Sequence, residues 1–192
     1  TPPQLVDAYA TLANGGTRYR PQIVSKVTRI KDAALPPGQE GNFDVVTTVE
    51  PEALGKVDMT PQQHGQIVSG LVGVTQSGEG TAAASWRASP TAWPMAGKTG
   101  TAQVRGKADT ALFAGWGPTG PGAVPHYAIS VVVPEAGFGG DVAAPLAFRI
   151  LQPLSHGQLT PACTVVDRSA CDMAALAANQ ASQSDVGSGG PG

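Results

Sequence analysis

Apolar side chains recur three or four positions apart in two segments of the chain, as expected for helices that cover a core. The two stripes consist of Leu5, Tyr9 and Leu12, and of Ile67, Leu71 and Val74. Each stripe follows a Thr-Pro-x-Gln sequence, at residues 1–4 and 60–63. A threonine cap, a proline in the first turn and a glutamine three residues after the cap are typical of a helix start. The pattern therefore predicts two helices, which end near the glycines of residues 14–16 and 77–80.

From residue 93 onward the pattern changes from helical to strand-like. Residues 93–104, 110–117 and 126–133 are rich in small and β-branched types, and short links rich in glycine or proline separate the last two. Such links join antiparallel neighbours. The sequence therefore predicts a three-stranded antiparallel sheet.

Shorter segments complete the predicted fold. Residues 18–30 and 45–49 have the composition of strands, and residues 81–86 could form a short helical turn. A last apolar stripe predicts a helix that is opened by Asp141 or Pro145 and packs back on the sheet. An antiparallel sheet with helices packed on it is an α+β architecture.

Composition excludes several classes of protein. Of the 192 residues, 41% are hydrophobic and 14% are charged, and the net charge is −2. This balance is typical of a globular domain, and the absence of a Lys/Arg run argues against a nucleic-acid partner. No run of about 18 apolar residues occurs, so no transmembrane helix is expected.

The end of the chain differs from the rest. We expect residues 1–155 to form the folded part, residues 156–178 an extension, and residues 179–192, which are rich in Ser, Gly, Gln and Ala, a disordered tail. Because the chain starts at Thr1 without a methionine, it is expected to be a piece of a longer protein.

Two cysteines lie in the extension, Cys163 and Cys171. Seven residues separate them in a polar segment, which predicts a small disulfide loop worth roughly 2–3 kcal/mol and therefore an oxidising compartment, with two free thiols as the alternative. The three histidines are scattered without ligand spacing, so neither a metal site nor a cofactor is predicted.

The segment Ala-Gly-Lys-Thr-Gly-Thr-Ala-Gln-Val, residues 96–104, carries the chemistry. One interpretation is a phosphate-binding loop, because Gly97, Lys98 and Thr99 match the end of that motif. The motif also requires a glycine at position 92, which is Ala92, and a helix after the loop. The residues that follow favour a strand instead, so the phosphate loop is disfavoured.

The second interpretation is the Lys-Thr-Gly strand of serine acyltransferases that act on D-alanyl peptides and β-lactams. Side chains alternate along a strand, so Lys98 and Gly100 would share one face and Thr99 and Thr101 the other. Lys98 would hold a positive potential near the nucleophile, and the two threonine hydroxyls would bind a carboxylate. Gly100 would let the nucleophile's helix approach, and the Thr101 backbone N–H would be an oxyanion donor. A surface lysine on an ordinary edge strand is the alternative for the tripeptide alone.

Longer segments resemble class B penicillin-binding proteins, with a leaning toward the elongation type. The matching segments are TPPQLVDAYATLANGGTRYRPQIV (residues 1–24), MTPQQHGQIVSGLVGVTQSGEGTA (residues 59–82), AGKTGTAQV (residues 96–104) and FAGWGP (residues 113–118). The resemblance implies the C-terminal portion of a penicillin-binding, β-lactamase-like transpeptidase fold. It also implies a peptidoglycan DD-transpeptidase, whose partners are stem peptides and β-lactams, on the extracytoplasmic face of the membrane with an N-terminal anchor.

The chain departs from this family in one respect. The family needs a Ser-x-x-Lys nucleophile motif and a Ser-x-Asn motif, and no serine here has lysine at the third position after it or asparagine at the second. We therefore expect an N-terminal piece of the same protein to supply both, and the chain alone to be inactive.

Three other functions are weighed against this one: a serine β-lactamase, a β-lactam sensor without turnover and a structural accessory domain. Rapid hydrolysis of the acyl-enzyme would favour the first, and stable acylation without cross-linking the second. An accessory domain would lose no acylation when Lys98 is replaced.

Overall fold

The computed structural model describes residues 1–32, 34, 42–88 and 91–156. These residues contain, in chain order, α1 (Pro2–Ala13), β1 (Thr17–Tyr19), β2 (Lys26–Ile30), β3 (Phe43–Thr48), β4 (Ala53–Lys56), α2 (Pro61–Gln76), α3 (Ala83–Ala88), β5 (Ala96–Ala102), β6 (Thr110–Gly117), β7 (Tyr127–Val133) and α4 (Ala143–Ser155). The chain divides into two compact units. One contains residues 1–23 and continues from residue 50, and the other contains the β2–β3 hairpin within residues 24–49.

The two predicted helix starts have the expected caps. At α2 the Thr60 hydroxyl accepts a hydrogen bond from the Gln63 backbone N–H (3.2 Å), and the Gln63 side chain accepts one from the Thr60 N–H (2.9 Å). At α1 the Gln4 side chain accepts from the Thr1 hydroxyl (2.9 Å). The two bonds at α2 use backbone N–H donors that a helix start otherwise leaves without partners.

Strands β5, β6 and β7 form an antiparallel sheet in that order, which confirms the predicted α+β architecture. β6 occupies residues 110–117, as predicted. The register aligns Thr99 of β5 with Phe113 of β6, and Phe113 with Val131 of β7. β5 is therefore an edge strand within the part of the chain that the structure describes.

Helices pack on both faces of this sheet. Phe113 and Trp116 of β6 are an odd number of positions apart, so their side chains lie on opposite faces. Phe113 meets Phe148 of α4 edge to face, with ring centroids 5.3 Å apart, and both rings are fully buried. Trp116 lies 6.2 Å from the ring of Tyr9 on α1. The sheet is thus held between α1 and α4, with the larger cluster of buried apolar residues on the α4 side.

Two-stranded pairings make up the rest of the β structure. β1 pairs with β4, and beyond the ladder the Arg20 guanidinium binds the Glu52 carboxylate through contacts of 2.6 and 3.0 Å. In the separate unit, β2 pairs with β3 around an irregularity between Val27 and Thr28. Every residue of β2, and of β3 from Asp44 onward, is exposed to solvent.

Several predicted boundaries were wrong. The strand predicted over residues 18–30 is two strands, because β1 ends at Tyr19 and β2 begins at Lys26. Pro21 lies between them and has no N–H to give to a ladder. The strand predicted from residue 93 begins at Ala96, after Pro94, and β4 was not predicted.

The last helix also begins differently. Val142 is the residue before α4, which starts at Ala143, so neither Asp141 nor Pro145 opens it. Pro145 lies within the first turn. Backbone N–H groups there have no acceptor within the helix, so a proline at this position costs no helical hydrogen bond.

Three predictions fall outside the described residues. The disordered tail over residues 179–192 and the disulfide between Cys163 and Cys171 are among them, as is the extension after residue 156. In the described ranges, none of the helices combines the length and hydropathy needed to span a membrane. The same ranges hold no group of three His, Cys, Asp or Glu side chains placed to bind a metal.

Candidate functional site

The four residues singled out from the sequence, Lys98 to Thr101, lie together along one cavity of about 390 Å³. β5 forms one wall of the cavity. The loop between β7 and α4 contributes residues 138–141, and Thr81, in the turn between α2 and α3, completes the lining. An edge strand, a loop and a turn that are distant in the sequence therefore meet at this point.

Strand geometry divides the four residues between two faces. Thr99 and Thr101 are two positions apart and share the face of Phe113, which is the face that α4 covers. Lys98 and Gly100 belong to the opposite face. The Lys98 ammonium donates a hydrogen bond to the Thr99 carbonyl oxygen (2.8 Å), so it lies beside its own strand.

The two hydroxyls at the centre of the cavity wall are in direct contact. Thr81 Oγ1 and Thr99 Oγ1 are 2.7 Å apart, and either oxygen can be the donor. Thr99 is half-buried, and Thr81 is exposed. This bond links the turn after α2 to the middle of β5.

The middle of the opposite wall, at Gly139 and Gly140, consists of main chain. The backbone of Gly139 lies so close to the sheet that an added Cβ atom would overlap the carbonyl oxygens of Gly100 and Leu112. Its N–H donates a long hydrogen bond to Thr101 Oγ1 (3.4 Å). Only glycine lets the loop lie this close to the strand, so the distance between the two walls depends on that residue.

The next residue fixes the loop from its other side. A Cβ atom on Gly140 would overlap the Thr81 carbonyl oxygen, and the Gly140 carbonyl accepts a hydrogen bond from the Ser85 hydroxyl of α3 (2.6 Å). Ala82, directly after Thr81, is fully buried in the core. The loop and the turn therefore support each other, and both are attached to the packed part of the molecule.

This arrangement suits an anionic group. An ammonium and two threonine hydroxyls lie along one strand, and Asp141 is the single carboxylate among the residues that line the cavity. Hydroxyl and ammonium donors to a carboxylate form charge-assisted hydrogen bonds, which are stronger than bonds between neutral groups. No serine occurs among the described residues that line the cavity.

Sequence reasoning found one wall and missed the others. Residues 98–101 stood out because they form a known motif. Thr81 stands at the end of the segment 59–82 that resembles the family, but no site role was assigned to it, and residues 138–141 lie in no matched segment. Two local signals were available: the turn residues Gly78 to Gly80 before Thr81, and the Gly-Gly pair before the last helix. Neither signal says that the two segments meet at β5.

Comparison with known proteins gives consistent results. The sequence profile of the penicillin-binding protein transpeptidase domain matches residues 1–152. Penicillin-binding protein 2A of Bacillus subtilis (strain 168) is 37% identical over 145 residues, which is 70% of this chain and 18% of that protein.

Solved structures of the same kind are similar in fold. Penicillin-binding protein 2B of Streptococcus pneumoniae (strain R6) superposes with a TM-score of 0.64 at 25% identity, over 84% of this chain and 25% of the other. Penicillin-binding protein 2 of Pseudomonas aeruginosa, solved in complex with WCK 5153, gives a TM-score of 0.59 at 29% identity, over 85% and 32% of the two chains. This chain thus spans about a fifth to a third of the relatives that it matches.

Proposed function

Because this chain belongs to the penicillin-binding protein transpeptidase family, we propose that it forms one wall of the acyl-transfer site of a peptidoglycan DD-transpeptidase. The observation that carries the proposal is the placement of Lys98, Thr99, Gly100 and Thr101 along an open cavity at the edge of a packed sheet. An edge strand leaves backbone groups free for a ligand, and these side chains add positive charge and hydroxyl donors.

The proposed reaction is acyl transfer through a serine ester. A serine hydroxyl attacks the carbonyl between the two D-alanines of a stem peptide, the terminal D-alanine leaves with a proton, and the acyl group remains on the serine. An amine of a second stem peptide then attacks the ester, forms the cross-link and releases the serine. A β-lactam would acylate the same serine without this second step.

The residues of this chain have separate roles in that scheme. Lys98 keeps a positive potential at the serine and favours the alkoxide-like charge that develops on it. Thr99 and Thr101 donate hydrogen bonds to the terminal carboxylate of the donor peptide or the β-lactam. The Thr101 backbone N–H donates to the oxygen of the tetrahedral intermediate.

The serine itself comes from another part of the protein in this proposal. No serine of the chain stands in a Ser-x-x-Lys or Ser-x-Asn sequence, and none described lines the cavity. The remainder of the protein would supply both motifs, together with a membrane anchor that holds the enzyme on the extracytoplasmic face. Stem peptides and β-lactams are the proposed ligands.

Labelling with a fluorescent penicillin tests the proposal. We expect the full-length protein to become labelled, and Lys98→Ala to lower the second-order rate constant of labelling about 100-fold, as for loss of one electrostatic group in an acyl-transfer site. Lys107→Ala is the matched control, because Lys107 pairs with Glu135 (3.3 Å) and does not line the cavity. That variant should label at the wild-type rate.

Two results would contradict the proposal. Covalent labelling of the isolated 192-residue chain would show that it holds its own nucleophile. Equal rates for Lys98→Ala and Lys107→Ala would show that the β5 lysine has no part in acylation.

A further inference from the structure

The hydrogen bond between the hydroxyls of Thr81 and Thr99 belongs to no role assigned above. Thr81 Oγ1 lies 2.7 Å from Thr99 Oγ1, and this is the one hydrogen bond that either hydroxyl forms with the described residues. Both side chains line the same cavity. Thr81 and Thr99 are therefore in direct contact, although they are 18 positions apart in the sequence.

We propose that Thr81 is a positioning residue, whose hydroxyl orients and polarises the Thr99 hydroxyl toward a substrate carboxylate. This inference rests on the proposed acyl-transfer function and extends it to a residue outside the Lys-Thr-Gly strand. In this proposal Thr81 acts on the substrate only through the Thr99 hydroxyl.

Each threonine hydroxyl has a single hydrogen, and this explains why the bond between Thr81 and Thr99 matters. A hydroxyl has one hydrogen to donate and two lone pairs that accept. When Thr99 donates to Thr81, its hydrogen is not available to a ligand. When Thr81 donates to Thr99, the Thr99 hydrogen is free to point into the cavity. A bound carboxylate, which can only accept, therefore selects the direction Thr81 to Thr99 to carboxylate.

The same direction strengthens the outer bond. A hydroxyl that accepts a hydrogen bond becomes a better donor, because successive hydrogen bonds polarise one another. The gain is largest when the final acceptor is charged. Thr81 should therefore contribute more to the binding of a carboxylate than to the binding of a neutral group.

The backbone around Thr81 holds its hydroxyl in place. The Ala82 N–H donates to the Val74 carbonyl of α2 (3.0 Å), and the Ala83 N–H donates to the Gly80 carbonyl (2.9 Å). A Cβ atom on Gly80 would overlap the carbonyl oxygens of Gly73 and Val74, so the turn is pressed against the end of α2. A short side chain on a fixed turn suits a positioning role, because little rotational freedom is lost when the bond forms.

The test compares two ligands and two substitutions in the full-length protein. Thr81→Val keeps the shape of the side chain and removes the hydroxyl, and Thr81→Ser keeps the hydroxyl. The ligands are benzylpenicillin and its methyl ester, whose carboxyl group is neutral. The rate of acylation by each is measured in competition with a fluorescent penicillin, and the thermal unfolding midpoint of each variant is recorded.

We expect Thr81→Val to slow acylation by benzylpenicillin about tenfold, as for a lost hydrogen bond that supports a charged group. Acylation by the ester should fall much less, about twofold, because its acceptor is neutral. Thr81→Ser should restore the wild-type rate with benzylpenicillin. Thr99→Val should abolish the effect of Thr81→Val, since the Thr81 hydroxyl acts through Thr99.

Several outcomes would overturn the inference. Equal losses with both ligands, or no rescue by serine, would show that Thr81 supports only the shape of the turn. Unchanged rates in Thr81→Val would show that its hydroxyl has no role. If the wild-type protein is not acylated at all, the proposed function fails and this inference fails with it, a result that is distinguishable because it needs no variant.

Discussion

The three-stranded sheet and the two-stranded pairings show two ways in which this chain stabilises β structure. In the sheet, Phe113 and Trp116 are covered by helices on opposite faces and retain at most 2% of their exposure. In the hairpin, Val27 and Val45 remain 48% and 59% exposed. Strand pairing alone is marginal in water, and burial of one face is what makes a sheet stable. The difference explains why the cavity lies on the sheet: β5 is an edge strand that solvent can reach, but its packed neighbours fix its position.

Polar contacts take the place of burial in the two-stranded pairings. Arg20 and Glu52 join β1 to β4, and in the other unit Lys31 lies 3.2 Å from Asp44. All four side chains are largely exposed. Exposed ion pairs contribute little to stability and are screened by salt. A substitution that disrupts packing in the three-stranded sheet should therefore lower the free energy of unfolding much more than one in either two-stranded pairing.

The largest contrast is expected between two apolar truncations. Phe113→Ala removes a fully buried ring that packs on Phe148, and should lower the free energy of unfolding by about 3–5 kcal/mol. Val45→Ala in the exposed hairpin should change it by less than about 0.5 kcal/mol. Urea unfolding followed by tryptophan fluorescence measures both. Similar losses for the two variants would show that the hairpin is as well packed as the sheet.

A smaller effect tests how closely β5 and β6 pack. A Cβ atom on Gly97 would lie 2.9 Å from the Ala114 carbonyl oxygen and would overlap the Phe113 ring. Gly97→Ala should therefore destabilise the chain by about 1–3 kcal/mol, as an overpacked site.

Gly70→Ala in α2 is the matched control, because a Cβ atom there meets no atom within 4 Å. Alanine is the better helix former, so this variant should gain about 0.5–1 kcal/mol. If both substitutions shift the urea midpoint in the same direction, close packing at Gly97 is not the cause.

The smallest effect is expected from pH. The hydrogen bond from Arg20, with the attraction of its charge, holds the pKa of Glu52 below its ordinary value of 4.5. A carboxyl with a lowered pKa in the folded state stabilises the fold above its unfolded pKa, and this contribution is lost as the pH falls through the folded value. Between about pH 6 and about pH 3, wild type should therefore lose slightly more stability than Arg20→Gln.

Lys56→Gln provides the comparison for this titration. Lys56 lies on β4 and forms no ion pair with the described residues. Its substitution should leave the loss of stability on acidification as in wild type. Added salt should reduce the difference between Arg20→Gln and wild type, because both charges are in solvent. A difference that persists at high salt would mean that the pair is not screened.

The sequence predicts correctly those parts of the fold that depend on residues close together in the chain. The helix starts at Thr1 and Thr60 and the limits of β6 follow from residues within a few positions, and these predictions are confirmed. β4 escaped prediction because residues 50–56 contain a proline, a glycine and no alternation, and its strand exists only through pairing with β1. The break after Tyr19 could have been predicted from Pro21.

The candidate site divides in the same way. Lys98 to Thr101 were found because their order in the chain is itself a motif. The contact between Thr81 and Thr99 and the seat of Gly139 on the sheet depend on how α2, the last loop and β5 pack. Packing between distant segments is not encoded in the spacing of any one of them.

The glycine wall of the cavity limits how the site could change over time. A Cβ atom on Gly139 would overlap the carbonyl oxygens of Gly100 and Leu112, and one on Gly140 would overlap that of Thr81. A side chain at either position would therefore displace the loop from the sheet or from the turn after α2. Gradual adaptation to a different ligand is left to the flanking positions, Phe138 and Asp141, whose side chains are exposed. Selection for altered ligand preference should therefore accumulate substitutions on either side of the glycine pair and leave the pair itself intact.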